Sequence, residues 1–176
     1  MTDLADQLRP ATPEDWPSFS RAFFTTFAEE PPASFVDAVP AHAELDRSLG
    51  LWEGDRVVAT SGVHSREMTV PGGVVPCAAV TWVSVAPSHR RRGVLTAVMR
   101  RQLTEIHEQG REPVAALWAS ESSIYGRFGY APATVRADLT GRTERLRLRP
   151  DVDLGEGRVS LVGQEEYRTA AVTLHD

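Results

Sequence analysis

At 176 residues, with 41% hydrophobic and 24% charged residues, the chain suits one ordinary folded domain and matches neither a disordered nor a fibrous protein. Its net charge of −5 argues against a general attraction to nucleic acid or anionic lipid, and its single cysteine, Cys77, excludes an internal disulfide and fits a reducing cytoplasm. All 19 basic residues are arginine and asparagine is absent, which removes a Schiff-base lysine, the lysine of a Walker A loop and N-linked glycosylation.

The chain opens without an apolar stretch, and the longest early apolar run, around Phe23 and Phe24, is far short of the roughly 18 residues a membrane helix needs. Thr12, Pro13 and Asp15 combine a cap residue, a first-turn proline and an acid three residues after the cap, which predicts a helix from Thr12 to about Phe27. Pro31 and Pro32 break it, and a second helical stretch is expected over residues 34–46 despite Pro40. From Leu49 onward the signals are those of strands. Leu51 and Trp52, a Gly54-Asp55 turn, and Val57 and Val58 read as a hairpin whose second strand continues to Val70. A turn at Pro71, Gly72 and Gly73 leads into a third strand over residues 74–85.

Apolar residues at 94, 95, 98, 99, 103 and 106 then recur at helical spacing, with Gly110 as the stop. Residues 114–119 form a continuous apolar run, as expected of a buried strand parallel to the one before the helix. A short helix over 122–128, ended by Gly129, strand-like residues at 130–139 and 145–149, a turn-rich linker at 151–157, a strand at 159–162 and a helix over 164–173 complete the series. The fold class is α+β with a mixed, mostly antiparallel sheet. Trp52, Trp82 and Trp118 fall on strands and read as core.

The chemistry concentrates where the third strand meets the central helix. A helix start presents unpaired N–H groups and partial positive charge, the arrangement that suits a diphosphate. Arg90, Arg91 and Arg92 add charge-assisted hydrogen bonds there, and Gly93 allows a close approach to the backbone. A triple arginine alone is ordinarily a solvated face; its position between a buried strand and an amphipathic helix gives it meaning. Nucleic-acid binding through these arginines would need a basic recognition helix, whereas Arg100, Arg101, Glu105 and Glu108 mix signs. The five histidines (42, 64, 89, 107 and 175) are scattered, so no metal site is expected.

The run Arg90-Arg91-Arg92-Gly93-Val94-Leu95 resembles the Arg/Gln-x-x-Gly-x-Gly/Ala signature of the GNAT acetyltransferases, with leucine at the last position. Together with Val83-Ser84-Val85-Ala86-Pro87-Ser88-His89 and with Trp118-Ala119-Ser120-Glu121-Ser122-Ser123-Ile124-Tyr125-Gly126-Arg127-Phe128-Gly129-Tyr130, it is similar to the Eis subfamily, in which leucine at that position is common. The resemblance implies a GNAT fold over residues 1–150, with 151–176 as a linker and the start of a truncated second domain, so that the chain is an N-terminal portion of a longer protein. It also implies acetyl-CoA as co-substrate. The pantetheine arm would lie against Val83, Ser84 and Val85, the pyrophosphate against Arg90, Arg91, Arg92, Gly93, Val94, Leu95 and Thr96, and Ser120 and Glu121 would line the far side of the cleft.

The same resemblance makes Tyr125 the general acid, and a phenol of pKa near 10 is matched to protonating a departing thiolate. It places Glu29, less directly Glu30, toward a cationic acceptor, which would be an aminoglycoside-like polyamine or a lysine side chain. The Eis subfamily further implies a hexamer and a base supplied by a C-terminal carboxylate outside this chain. A non-catalytic module that binds acyl-CoA is the alternative reading. Packing of Tyr125 beside Phe128 and Tyr130, and a solvated helix end for Glu29, are the plain readings of those residues.

Overall fold

The computed structural model describes residues 4–147, 149–153, 155–157 and 159–175, with residues 172–175 described by backbone alone. Thr12 and Asp15 cap one another as their sequence signals, but one turn ahead of the helix. Thr12 N–H donates to Asp15 Oδ2 at 2.9 Å and Asp15 N–H donates to the Thr12 carbonyl at 3.1 Å, closing residues 12–15 into a turn. Arg9 grips the same carboxylate, at 2.6 Å from Nη1, and that hydrogen bond chiefly holds Asp15 well below the usual carboxylate range. The helix proper, α1, is Trp16–Thr26, so Pro17 rather than Pro13 is its first-turn proline. The expected helix over 34–46 is broken: α2 covers Ala33–Ala38, and the chain around Pro40 continues as 3₁₀ turns at Val39–Ala41 and Leu45–Arg47.

Among the described residues five strands form one sheet in sequence order: β1 (Leu8–Pro10), β2 (Leu49–Glu53), β3 (Arg56–Val70), β4 (Gly73–Val85) and β5 (Val114–Leu117). The first four are antiparallel and β5 runs parallel to β4, joined to it through α3 (Val94–Gln109). Strand alternation sorts the side chains onto two faces. Leu51, Val58, Val63, Ala78 and Val80 face α3, packing on Val94, Val98 and Ile106. Trp52 and Trp82 face the other way, into a cluster with Trp16 and Phe19 of α1 and Phe35 of α2. Trp118 does not join either layer; it lies just past β5 and is 70% exposed.

The chain divides into two compact units, Met1–Ala133 and Thr134–Asp176. The expected short helix over 122–128 is two 3₁₀ turns, Ser122–Ile124 and Gly126–Phe128, closed by Gly129 at φ +92°. The strands expected at 130–139, 145–149 and 159–162 do not form among the described residues; the unit from Thr134 is irregular apart from a 3₁₀ turn at Thr143–Arg145 and α4 (Gln164–His175). Of their apolar residues, Val135, Leu139, Val159 and Leu161 are almost wholly exposed. A strand is stable only with a ladder partner and a covered face. Leu148 and Leu154, in the expected strand and linker, lie outside the described residues, as does Asp176.

Candidate active site

Two departures from regular structure, one inside β4 and one just after it, build the site. The β3–β4 ladder pairs Gly62 with Thr81 and resumes at Thr60 with Ser84, so Trp82 and Val83 oppose the single residue Ser61. This is a β-bulge, and it holds Trp82 at φ +53°, a region that side chains seldom adopt. Thr60 Oγ1 donates to the Trp82 carbonyl at 2.6 Å and therefore accepts from Ser84 Oγ, 2.7 Å away. The Ser84 hydroxyl proton is thus engaged within the sheet, so its side chain has no donor left for a ligand. On the opposite edge, pairing with β5 runs from Cys77↔Val114 to Val80↔Leu117 and stops where the bulge begins. From there β4 and the chain after β5 part company.

After β4, Ala86 N–H returns to the Val58 carbonyl at 2.8 Å, and Pro87–His89 makes a 3₁₀ turn. The buried His89 ring pins this turn, with Nδ1 2.9 Å from Ser88 Oγ and Nε2 3.4 Å from Glu53 Oε1. Arg91 at φ +60° and Gly93 at φ +81° then bend the chain into α3. Gly93 is needed for its conformation rather than for room, because a Cβ there would meet no atom within 4 Å. No side chain caps α3, and its first intrahelical bond comes from Ala97 N–H to the Gly93 carbonyl at 3.0 Å. The amides of Val94, Leu95 and Thr96 are left to a ligand or solvent, at the positive end of a helix of 16 residues.

The opening between these elements is a cleft of about 680 Å³. Val83, Ser84 and Val85 form one wall, Arg90, Arg91, Gly93, Val94, Leu95 and Thr96 one end, and Ser120, Glu121 and Tyr125 the other wall. Arg92, Glu29 and Glu30 lie off this lining. Arg92 turns to a shallow recess beside Glu53, His89 and Trp52. Glu29 sits exposed past the end of α1, following Ala28 at φ +58°. His89, from the quoted run, also lines the cleft, and Thr26, Phe27, Ile124 and Arg127 join the lining without having been singled out. Thr26 and Phe27 carry no sequence signal, since only the packing of α1 brings them to the cleft.

Tyr125 is half-buried, its ring meeting Tyr130 edge-on at 6.0 Å. Burial raises the pKa of the Tyr125 phenol, so it remains a proton donor at neutral pH. Burial, with a smaller contribution from Tyr125, pushes Tyr130 up to about 12, and its hydroxyl has no hydrogen-bond partner. Glu121 accepts from Ser123 Oγ at 2.9 Å, which steadies the 3₁₀ turn leading to Tyr125. Among the described residues no cluster of three or more His, Cys, Asp or Glu side chains is placed to hold a metal ion. Among the same residues no helix is long and apolar enough to cross a membrane.

A splayed parallel pair, an arginine-bearing turn and a free helix start bound the cleft, and the acetyltransferase (GNAT) domain model matches residues 7–133, enclosing every one of these parts. The chain belongs to the GNAT acetyltransferase family. GNAT acetyltransferases use acetyl-CoA. The chain is 55% identical over 113 residues to an uncharacterised N-acetyltransferase of Streptomyces avermitilis, a match that covers 62% of this chain and 27% of the relative. With N-acetyltransferase Eis of Mycobacterium tuberculosis the identity is 39% over 165 residues, covering 89% of this chain and 41% of Eis. The crystal structure of Eis1 from Mycobacterium abscessus superposes with a TM-score of 0.63 at 38% identity, over 73% of this chain and 32% of Eis1. This GNAT chain therefore resembles Eis, and it spans less than half the length of these relatives.

Proposed function

We propose that this GNAT domain transfers the acetyl group of acetyl-CoA to a primary amine by direct attack, with Tyr125 as general acid. The observation that carries the proposal is the cleft itself, which has anion-binding groups at one end, unpaired strand edge along one wall and a protonated phenol on the other. The residues suit the co-substrate. The amides of Val94, Leu95 and Thr96 with Arg90 and Arg91 would take the pyrophosphate, and the backbone of Val83, Ser84 and Val85 would take the pantetheine amides as a further strand would.

In the reaction the acceptor must arrive as a free amine. Its nitrogen attacks the thioester carbonyl, the C–S bond breaks, and the departing thiolate takes the Tyr125 proton, which is restored from the proton the amine nitrogen loses. The acceptor class is an aminoglycoside-like polyamine or a lysine side chain, and this rests on the likeness to Eis. Glu29 belongs to the proposal only as a contact for the outer part of a long cationic acceptor, given its place off the cleft lining. The same likeness extends the proposal to a cytoplasmic homo-hexamer that acts on small molecules rather than on nucleic acid or membrane.

Titrating coenzyme A by calorimetry and following thiol release with an aminoglycoside tests the proposal. Binding together with release supports it. Binding without release favours a non-catalytic acyl-CoA module, and absence of binding refutes both.

A further inference from the structure

The bulge in β4 is where the cleft begins, and the backbone around it is under conformational strain that something must hold. Trp82 lies at φ +53°, where a residue with a β-carbon is unfavourable by about 1 kcal/mol or more in isolation, so its surroundings must impose the conformation. Those surroundings form a socket for its ring. Gly62, the residue diagonal to it across the ladder, forms the floor: a Cβ on Gly62 would fall 2.6 Å from Trp82 Cε3. Trp16 and Phe19 of α1 and Phe35 of α2 form the walls, with centroids 5.1, 6.3 and 6.2 Å away. His64 closes the remaining side edge-on at 4.9 Å.

We infer that the Trp82 ring is the wedge that keeps β4 splayed from β5, making Trp82 a positioning residue for the pantetheine arm rather than one more core aromatic. The inference rests on the coenzyme reading of the cleft. The ring points away from α3, into the layer under α1 and α2, so anchoring it there draws the Trp82 backbone out of the regular pleat. Val83, next in the chain, opens the cleft wall. The hydrogen bond from the Thr60 hydroxyl then fixes the Trp82 carbonyl that the displacement exposes. The pyrophosphate turn lies beyond Ala86 and is held separately, by His89 and the Ala86–Val58 bond. Wedge and turn should therefore be separable in binding.

The test compares coenzyme A with ADP, which carries a diphosphate but no pantetheine, in the wild-type chain and in Trp82→Gly and Gly62→Ala. Trp82→Gly accepts the positive φ while deleting the ring, and Gly62→Ala keeps the ring while filling its floor. Both variants should bind coenzyme A about tenfold more weakly, the factor expected for the loss of about one or two neutral hydrogen bonds along the arm, while ADP affinity stays within about twofold. Trp82→Phe, which refills most of the socket, should restore much of the difference. Equal loss for both ligands, or unchanged coenzyme affinity, overturns the inference. If neither of the first two variants folds, as read by circular dichroism, Trp82→Phe decides: a smaller loss confined to coenzyme A supports the wedge, and wild-type values for both ligands contradict it. A wild-type chain that binds neither ligand refutes the coenzyme reading itself, and the positioning role falls with it.

Discussion

Arg47 and Glu112, separated by 65 positions in sequence, meet as a buried bidentate pair, Nη1 to Oε1 at 2.8 Å and Nη2 to Oε2 at 3.1 Å. Arg47 ends the 3₁₀ turn before β2 and also donates to Ser65 Oγ of β3 at 2.7 Å, whereas Glu112 leads into β5. The pair thus ties the start of β5, one arm of the splayed cleft, to the antiparallel part of the sheet. Removing Arg47 would strand the buried Glu112 carboxylate, so Arg47→Ala should destabilise the fold by about 3–5 kcal/mol; Glu112→Ala should cost less, because Arg47 keeps a second ion pair with Glu44 at 3.3 Å. Urea denaturation of the two variants measures this. Replacing both with Met should cost much less than Arg47→Ala alone, because Glu112 is then not left as an unpaired buried charge.

Tyr125→Phe should lower turnover by roughly 10²–10⁴-fold if the phenol supplies the proton, with coenzyme affinity nearly unchanged. Since burial raises the Tyr125 pKa, the wild-type rate should persist up to the ordinary phenol value of about 10 and fall only above it. Initial rates and coenzyme titrations on the same preparations separate the two effects. Unchanged turnover would remove Tyr125 from the chemistry.

Arg91 lines the cleft and Arg92 does not, although the two are adjacent and chemically identical. Arg91→Ala should weaken coenzyme binding by about 1.5–3 kcal/mol, the range for a lost charge-assisted bond, and Arg92→Ala by much less. Calorimetry at low and moderate salt reads both. Equal effects would mean that the diphosphate lies across the whole turn.

His64 is half-buried against Trp82, with Nδ1 lacking a partner and Arg66, Glu44 and Arg47 as the charges around it. Burial chiefly lowers its pKa below 6.5, Arg66 adding to the shift. The unfolded chain therefore takes up this proton more readily than the folded one. The contribution of His64 to stability is complete above about pH 6.5 and is lost as pH falls through the folded pKa. Melting temperature should drop over that window in the wild-type chain and drop less in His64→Phe. Identical slopes would show that another group carries the acid sensitivity.

The parts of the fold with their own local signals were legible before the structure. The Gly54-Asp55 hairpin and the periodic helix ending at Gly110 appear where residue spacing puts them, whereas the apolar run after Pro113 is a strand only over Val114–Leu117 and is partly exposed rather than buried. The Thr12 cap was legible but pointed to a turn, because Asp15 is claimed by Arg9 as well as by the backbone. The strands read at 130–139 and 159–162 do not form among the described residues, because alternation describes a face and says nothing of what covers it. At the site, the arginine-glycine turn could be read directly from its spacing. The bulge could not, since it depends on a ring from β4 lying over a glycine of β3 within a cluster drawn from two helices. Trp82 and Trp118 looked alike in sequence, and only their partners make one a wedge and leave the other exposed.

A crystal structure of this chain soaked with coenzyme A tests the central claim most directly. The account predicts diphosphate density against the amides of Val94, Leu95 and Thr96 and the Arg91 guanidinium, with the pantetheine arm running beside Val83, Ser84 and Val85 toward Tyr125. Density for the coenzyme elsewhere on the molecule, or a cleft that stays empty at millimolar coenzyme, would contradict it.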